Sequence, residues 1–421
     1  MSIFSSCFGY AQINIKDNNK KQNLEKFTKH TLSPGLIMAG YQGWFNTADD
    51  GAERGWRHLA KEGKFAPGHS SVDLWPDMSE YTKQYNTDFR YQDGSVATMF
   101  SSYDQSTVEL HFKWMKDYKI DGVFMQRFVN EIKSPSGKRH FDNVLQSATK
   151  AALKFDRTIA IMYDMSGMNA TGAEVIIEDW KKLMTQYGYN KRSKYPNYLF
   201  NNGKPLVAIW GVGFNDKRNY NLDDVQRIIQ FLKSDEGGNC SVLLGVPTYW
   251  REQGNDCVKD EKMHQIIQMA DVVHPWFVAR FKEEGYEKFK PIIGKDKEWC
   301  DAHNLKYMPV VFPGFSWNNL YPDSKNSFIA RNHGEFFWKQ LHGAISQGAE
   351  MIYVAMFDEI DEGTAIFKTA KNVPVGQSKF IAVDADLQSD YYLWLTGKAG
   401  EILKKKSELP QERPTQKSVS N

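Results

Sequence analysis

The chain has 421 residues, of which 41% are hydrophobic and 25% are charged, and its formal net charge is +2. This is the composition of a globular protein long enough to bury a large core. A nearly neutral chain gives no electrostatic reason to expect nucleic acid as a partner. The sequence also contains no run of about 18 apolar residues, so an integral membrane segment is not predicted.

The aromatic content is the unusual part of this composition, with 12 Trp, 20 Tyr and 26 Phe. A large core accommodates many rings. Rings that line a cleft also stack well against the apolar C–H faces of sugars. Composition alone leaves both interpretations open.

The first 30 residues are predicted to be a leader or the remnant of a signal peptide. The segment MSIFSSCFGYAQ ends in a pattern typical of signal-peptide cleavage after Ala11, although its start carries no basic residues and its apolar stretch is short. A disordered leader and a lipoprotein attachment site at Cys7 are the alternatives. On the signal-peptide interpretation the protein is exported, to the periplasm or to the outside of the cell.

Short apolar runs alternate with amphipathic stretches along the rest of the chain. Eight runs are predicted to be strands, at residues 36–45, 121–128, 158–167, 204–213, 240–250, 271–278, 306–317 and 351–360. Because these runs are apolar almost throughout, they are expected to be buried on both faces and to pair in parallel. Helices are predicted at residues 107–119, 139–155, 173–187, 222–234, 260–270, 285–303 and 333–347.

Strands that alternate with helices in this way predict an α/β fold, a single (β/α)₈ TIM barrel over residues 31–402. The connection after the first strand, residues 46–106, is far longer than the others and contains HSSVDLWPDMSEY at 69–81. Such a loop is expected to overhang the catalytic face. Within it, MFSSYD at 99–104 is predicted to be a short extra strand. The polar residues 403–421 are predicted to be a disordered tail.

The active site of a barrel lies at the C-terminal ends of its strands. At that edge the sequence brings together aromatic, hydrogen-bonding and acidic side chains. No basic cluster suggests a phosphate, no His-rich cluster suggests zinc, and the four cysteines have no metal-ligand spacing, so no cofactor or metal is predicted. A disulfide between Cys240 and Cys257 is left open. The candidates for substrate contact are Tyr41, Trp44, Gln126, Arg127, Asp164, Tyr249, His274, Trp276, Trp317, Asp358 and Asp361.

Four carboxylates crowd into MFDEIDEGT, residues 356–364, at the end of the last predicted strand. Like charges at this spacing repel, which raises the pKa of one or more of the acids and keeps it protonated near neutral pH. Cleavage of a glycosidic bond needs such a pair, one acid to protonate the leaving oxygen and one carboxylate to activate a nucleophile. An aromatic cleft with carboxylic acids at the strand ends therefore predicts a glycoside hydrolase.

The cluster and its neighbours have other interpretations. Calcium would relieve the repulsion, although the spacing is not that of an EF-hand, and acids also favour helix N-termini. Asp164 could be a hydrogen-bonded core acid and His274 a packed residue. Arg127 could form an ion pair with one of the acids. Each tryptophan taken singly could belong to the core.

The element Glu359-x-x-Glu362-Gly-Thr resembles the EWHEGT motif of the endo-α-mannosidases, glycoside hydrolase family 99, whose barrel is shared by the related α-1,3-glucanases of family 71. GYQGWF, GKPLVAIW and PVVFPGFSW are similar to other strands of that family, in the same order. In that family the first Glu deprotonates the sugar 2-hydroxyl, which attacks C1 to give a 1,2-anhydro sugar. The second Glu is the general acid and then the base for water. The resemblance implies these roles for Glu359 and Glu362, with retention of configuration.

The chain also departs from that family. Ile360 and Asp361 replace a Trp and a His inside the motif, and Asp164 falls in a strand where the family has His-Ile-Glu-Pro. The second strand ends in MQRF instead of paired tryptophans. The expected substrate is therefore an α-linked, α-mannoside-like oligo- or polysaccharide. The alternatives are a carbohydrate-binding barrel without activity and a metal-dependent hydrolase.

Overall fold

The computed structural model describes residues 29–169, 171–324 and 328–416. The cleavage site predicted after Ala11 and the lipoprotein interpretation of Cys7 lie outside these ranges. Cys240, Cys257 and Cys300 are buried and free, so Cys240 and Cys257 do not form a disulfide.

The strands and helices alternate as the apolar runs predict. Numbered in chain order, the strands are β1 (Ile37–Tyr41), β2 (Tyr85–Arg90), β3 (Val96–Met99), β4 (Gly122–Phe128), β5 (Thr158–Asp164), β6 (Phe200–Asn201), β7 (Lys204–Trp210), β8 (Ser241–Val246), β9 (Val272–Pro275), β10 (Lys306–Tyr307), β11 (Val310–Val311), β12 (Phe315–Ser316), β13 (Phe328–Ile329) and β14 (Ile352–Val354). The helices are α1 (Gln105–Asp117), α2 (Val129–Ile132), α3 (Pro135–Phe155), α4 (Gly172–Tyr187), α5 (Leu222–Lys233), α6 (Lys262–Gln268), α7 (Tyr286–Phe289), α8 (Pro291–Ala302), α9 (Glu335–Ser346) and α10 (Tyr391–Leu403). None of the helices in the described ranges is both long and apolar enough to cross a bilayer.

The central sheet closes into a barrel of parallel strands. Its hydrogen-bonded order is β10, β9, β8, β7, β5, β4, β1, β14 and β11. Because β10 pairs with β9 and β11 pairs with β14, these two short pieces act together as the seventh barrel strand. The Met308 N–H donates to the Val273 carbonyl at 2.9 Å, and the Ala355 N–H donates to the Val311 carbonyl at 2.9 Å. The predicted (β/α)₈ barrel is confirmed.

Local residue chemistry sets several helix boundaries. The Ser134 side chain accepts from the Gly137 N–H where α3 begins, and Pro135 follows as the first helical residue, where its missing N–H costs nothing. A reciprocal capping box between Asn221 and Asp224 starts α5.

The predicted seventh strand, residues 306–317, differs from the structure. Pro309 lacks an N–H and interrupts the ladder between β10 and β11. The final part, β12, leaves the barrel and pairs in antiparallel fashion with β13. This departure carries Trp317 over the C-terminal edge of the barrel.

The long loop and the tail also differ from expectation. The extra strand predicted at 99–104 is wrong, because β3 ends at Met99 and pairs with β2 in an antiparallel hairpin. The helix α10 was not predicted. Residues 404–416 are not a free tail: Arg413 pairs with Glu335 at 2.6 Å, and the Gln416 amide donates to Asp390 at 3.0 Å. The tail therefore packs against α9 and the start of α10.

Candidate active site

A cavity of about 310 Å³ lies at the C-terminal ends of the barrel strands. Its wall combines aromatic rings, two amides and three carboxyl groups, which is the chemical mixture that a sugar site needs. The lining residues are Gln42, Trp44, Gln126, Phe128, Asp164, Ser166, Trp210, Trp276, Met356, Glu359 and Glu362.

The segment that carries the acids folds back on itself directly after β14. The Phe357 N–H donates to the Gly40 carbonyl at 2.7 Å, which continues the pairing with β1. The Met356 N–H and the Thr364 carbonyl close the loop at 3.2 Å. This closed turn, residues 356–364, is called the acid loop below. It holds the carboxyl groups over the barrel mouth.

Asp358 attaches the acid loop to the first strand. Its two carboxylate oxygens accept the backbone N–H groups of Gln42 and Gly43 at 2.7 and 2.9 Å. Burial raises the pKa of Asp358 to about 7, while these N–H donors oppose the increase. With both oxygens engaged, Asp358 lies behind the cavity wall and orients the loop.

Glu359 is buried and faces the cavity. One of its oxygens accepts from the Gln42 side-chain amide, and the other accepts from the Thr364 hydroxyl at 2.7 Å. Burial raises its pKa well above the usual range, and the nearby Glu362 and Asp361 raise it further. The two donors oppose that increase because they favour the charged form.

Glu362 is half-buried and also faces the cavity. Its Oε1 accepts from the Trp317 indole N–H at 3.3 Å. Burial raises the pKa of Glu362 to about 7; the Trp317 hydrogen bond lowers it and Asp164 raises it. A carboxyl group with such a pKa is protonated in a substantial fraction of the molecules near neutral pH, as a general acid must be.

Asp361 is buried beside Glu362 but does not line the cavity. Its Oδ1 has no hydrogen-bond partner. Burial raises its pKa well above the usual range, and Glu362 adds to the increase.

Aromatic rings form the walls of the cavity. Trp44 lies between His58 and Phe128, with ring centroids at 4.1 and 4.8 Å in stacked geometry. Trp210 and Trp276 meet edge to face at 5.2 Å. Both faces of Trp44 are therefore covered, and it presents its edge to the cavity.

Polar groups with free hydrogen-bonding capacity also line the cavity. The Oε1 atoms of Gln42 and Gln126 and the Nε1 atoms of Trp44 and Trp210 are buried without a protein partner. The Gln126 amide nitrogen is held by the Tyr353 hydroxyl at 3.2 Å. Buried polar atoms without partners are costly, and these four atoms belong to residues that line the cavity.

Strand alternation explains two candidates that lie elsewhere. Successive side chains on a strand point to opposite faces, so Gln126 faces the cavity and Arg127 faces the helices. Arg127 pairs with Asp179 on α4 at 2.6 Å and with Asp142 on α3 at 2.8 Å. It is a structural ion-pair residue and does not contact the cavity. Its partners are not members of the acid loop.

Tyr41 is the other candidate that alternation moves away from the cavity. Its hydroxyl is 2.8 Å from Nδ1 of His111, and Nε2 of the same ring is 2.8 Å from the Tyr81 hydroxyl. Tyr41 is fully buried among aromatic rings. The next residue, Gln42, reaches the cavity instead.

The remaining candidates divide between the cavity and its surroundings. Trp276 and Asp164 line it, and Trp317 touches Glu362. His274 is buried beneath it, with Nδ1 3.0 Å from the Met308 carbonyl. Tyr249 is not among the lining residues, and its backbone N–H donates to Asp256 at 3.2 Å.

Five cavity residues are not among the candidates for substrate contact, although Gln42 and Trp210 stand at strand ends that the sequence places on the catalytic face: Gln42, Phe128, Ser166, Trp210 and Met356. Each follows or ends a barrel strand, so the position at the strand end was a usable signal. Choosing between adjacent residues required knowing which one faces inward. The direction in which each side chain points cannot be derived from apolar runs that are buried on both faces.

The carboxyl groups of the acid loop point to different partners. Asp358 faces β1, Glu359 faces Gln42 and Thr364, and Glu362 faces Trp317. Within the part of the chain that the structure describes, no three His, Cys, Asp or Glu side chains are grouped so that they could hold a metal ion. The calcium interpretation therefore finds no ligand set at this loop.

A (β/α)₈ barrel with two carboxyl groups in an aromatic cleft at its C-terminal edge has the architecture of a glycoside hydrolase. Residues 34–405 match glycosyl hydrolase family 99. The match covers nearly all of the barrel, and the chain belongs to this family.

Solved structures agree with this assignment at the level of the fold. Two structures of the GH99 endo-alpha-mannosidase from Bacteroides thetaiotaomicron align with a TM-score of 0.63 at 15% and 14% identity, covering 89% of this chain and 99% of theirs. A structure described as a glycoside hydrolase-like protein aligns with a TM-score of 0.52 at 14% identity, covering 77% of this chain and 92% of its own.

Similar sequences include two mouse proteins. Glycoprotein endo-alpha-1,2-mannosidase of Mus musculus is 22% identical over 329 residues, which is 75% of this chain and 65% of that protein. A glycoprotein endo-alpha-1,2-mannosidase-like protein of Mus musculus is 30% identical over 155 residues, 36% of this chain and 33% of that protein. The matches span from 24% to 65% of the lengths of the curated relatives.

Proposed function

We propose that the protein hydrolyses an α-linked, α-mannoside-like glycan with retention of configuration, using Glu359 and Glu362. The observation that carries this proposal is that the two side chains line one cavity with different partners. An amide and a hydroxyl donate to Glu359, whereas a single indole donates to Glu362. Two acids in unlike environments can divide the roles of base and acid.

The proposed protonation state has one proton on the pair. Double ionisation of two neighbouring carboxyl groups is disfavoured by their repulsion. Two donors stabilise a charge on Glu359, and only one, at 3.3 Å, stabilises a charge on Glu362. Before reaction the proton is therefore assigned to Glu362 and the charge to Glu359.

The first step follows from this state. Glu359 takes the proton of the sugar 2-hydroxyl while O2 attacks C1, and Glu362 gives its proton to the departing glycosidic oxygen. The C1–O bond to the leaving group breaks, and a 1,2-anhydro sugar forms. Because Glu359 acts on O2 and not on C1, both acids can come from one strand end, three residues apart.

The second step reverses the proton transfers. Glu362, now a carboxylate, takes a proton from water as its oxygen attacks C1. The epoxide C1–O2 bond opens, and O2 recovers a proton from Glu359. Two inversions at C1 give net retention, and both carboxyl groups return to their initial states.

The α-mannoside class is proposed from the relatives, which are named as endo-α-mannosidases. The polar atoms of the cavity are compatible with any hydroxyl-rich ring. The replacement of the family's Trp and His by Ile360 and Asp361 alters the surroundings of the acids. The sugar and its linkage are therefore the first quantities to measure.

The test is product release from a panel of α-mannans, α-glucans and aryl α-glycosides, with wild type beside Glu362→Gln. Wild type is expected to release oligosaccharides or sugar from one class, and Glu362→Gln is expected to be slower by at least about 100-fold. Glu350→Gln is the matched control, because this exposed acid precedes β14 at the opposite end of the barrel, and it should keep full activity. Silence of wild type on every substrate, with sugar binding retained, would instead indicate a carbohydrate-binding barrel.

We also propose export of the protein, on the basis of the N-terminal sequence alone. The test is N-terminal sequencing of the protein recovered from the periplasmic and cytoplasmic fractions of its host. A mature chain that begins after Ala11 or at Cys7 supports export. A full-length chain confined to the cytoplasm contradicts it.

A further inference from the structure

The segment HSSVDLWPDMSEY of the long loop packs directly on the acid loop. The backbone N–H groups of Asp73 and Leu74 both donate to the Ile360 carbonyl, at 2.9 and 3.1 Å. On its other side the same segment accepts the Ile381 N–H through the Asp73 carbonyl at 2.8 Å. The loop after the first strand therefore packs against the acid loop and forms part of its surroundings.

The Asp73 side chain connects this segment to a second loop. Its carboxylate is fully buried and accepts from the Ser316 hydroxyl, from the Asn318 N–H at 2.6 Å and from the Asn319 N–H at 2.9 Å. Burial raises the pKa of Asp73, and these donors oppose the increase. A buried carboxylate with three donors holds the chain around it in one geometry.

The residue between those donors is Trp317. Its indole N–H donates to Glu362, and the Ser316 N–H donates to the Glu362 carbonyl at 2.8 Å. Asp73 therefore holds the side chain of the residue before Trp317 and the backbone of the residue after it. Within the described residues, none of the hydrogen bonds of the Asp73 carboxylate is to a residue that lines the cavity.

We propose that Asp73 is a positioning residue that holds Trp317 against Glu362 and so sets the pH range in which Glu362 acts as an acid. This inference rests on the proposed function for its kinetic consequence, but the contact itself can be measured without substrate. The proposal also assigns a role to the long loop, which supports Glu362, the proposed general acid, through Asp73 and Trp317.

The direction of the effect follows from the hydrogen bond. The indole N–H stabilises the charged carboxylate more than the neutral acid. If Trp317 moves away, the pKa of Glu362 rises. Loss of one such hydrogen bond is expected to shift it by about half a pH unit or more.

The first measurement follows the Trp317 indole N–H resonance against pH in the full-length protein. The resonance is assigned by its absence in Trp317→Phe, and its titration is assigned to Glu362 by the loss of that titration in Glu362→Gln. In Asp73→Asn the midpoint is expected to move up by about half a pH unit, because an amide cannot accept all three donors. Asp93→Asn, at an exposed turn of the same loop, is the matched control and should match wild type.

The second measurement is the pH profile of kcat/KM. In Asp73→Asn its basic limb should move to higher pH, Trp317→Phe should move it equally, and the double variant should add nothing further. If Asp73→Asn fails to fold, Ser316→Ala replaces it. This variant removes one donor, and the same shift at smaller size is expected.

These measurements decide whether Asp73 positions Trp317. An unchanged midpoint in folded Asp73→Asn, or an equal shift in Asp93→Asn, overturns the positioning role. If wild type turns over no glycan, the proposed function fails, yet the indole titration still decides whether Asp73 controls Glu362.

Discussion

Gln42 touches the acid loop twice, through its backbone and through its side chain. Its N–H donates to Asp358 and its amide donates to Glu359, while its Oε1 is buried without a protein partner. The same residue thus orients the proposed base and stabilises its charge.

Replacing Gln42 by Leu should therefore affect the base. Without the amide the pKa of Glu359 rises, so the acidic limb of the kcat/KM profile is expected to move to higher pH, and kcat/KM should fall by about tenfold at neutral pH. A pH–rate profile checks this. Gln377→Leu, at an exposed loop position, should leave the profile unchanged, and an unchanged acidic limb in Gln42→Leu would remove Gln42 from this role.

Trp44 is a case in which the mode of contact can be predicted. Because His58 and Phe128 cover both ring faces, a sugar cannot stack on it and can only meet its Nε1–H edge. Trp44→Phe keeps the sandwich and removes the donor. It should raise KM by about five- to tenfold with little change in melting temperature. Loss of stability without a change in KM would show that Trp44 only packs.

At the scale of elements, the Arg127 ion pair joins β4 to the surrounding helices. Both partners, Arg127 and Asp179, are buried, and Lys138 also reaches Asp179 at 2.7 Å. A buried pair is strongly destabilised by removal of one partner, because the other charge is left uncompensated. The pair therefore matters for stability and not for the reaction.

Arg127→Met is expected to lower the free energy of unfolding by about 3–5 kcal/mol. Denaturant unfolding measures this change. The exposed pair of Arg139 with Glu53 supplies the control, since Arg139→Met should change stability by only about 0–1 kcal/mol. Adding Asp179→Leu to Arg127→Met should recover part of the loss. No recovery would contradict the buried-charge explanation.

An element could be predicted when the residues that determine it are close together in the sequence. The parallel strands follow from apolar runs, and the acid loop was located from its own residues. Pro309 and the exit of β12 from the barrel were missed because the run 306–317 is apolar throughout. Gln42 and Gln126 point into the cavity, whereas Tyr41 and Arg127 point away from it. The sequence of a strand that is buried on both faces does not show which of two adjacent side chains points inward.

At the scale of the whole molecule, contacts distant in sequence complete the site. Asp73 and Ser316 are 243 residues apart, and Gln42 and Glu359 are 317 apart. No local pattern encodes such pairs, so neither the path of the long loop nor the return of the tail could be derived from the sequence. The long loop was expected to overhang the site, and it does contact the acid loop.

The buried acids also make stability depend on pH. In the folded protein the pKa of Glu362 is about 7, against an ordinary value of 4.5, so the folded state binds a proton that the unfolded state releases between these pH values. This contribution to stability is present at low pH and is lost as pH rises through about 7. Glu362→Gln removes the titration.

The melting temperature of Glu362→Gln relative to wild type should therefore increase as pH rises from about 5 to about 7, and level off above that range. Calorimetry of both proteins at several pH values measures this difference. The buried histidines titrate with the opposite effect on stability, but they do so in both proteins, so their contribution cancels in the difference. A difference independent of pH would mean that Glu362 has an ordinary pKa in the folded protein.

The most direct test of the acid–base assignment compares two substrates of the same sugar, one with a sugar leaving group and one with an acidic phenol. A phenolate departs without protonation, so Glu362→Gln should keep at least about tenfold more of its wild-type kcat/KM on the aryl glycoside than on the oligosaccharide. Glu359→Gln should lose activity equally on both. Equal losses for Glu362→Gln on the two substrates would contradict its role as the general acid.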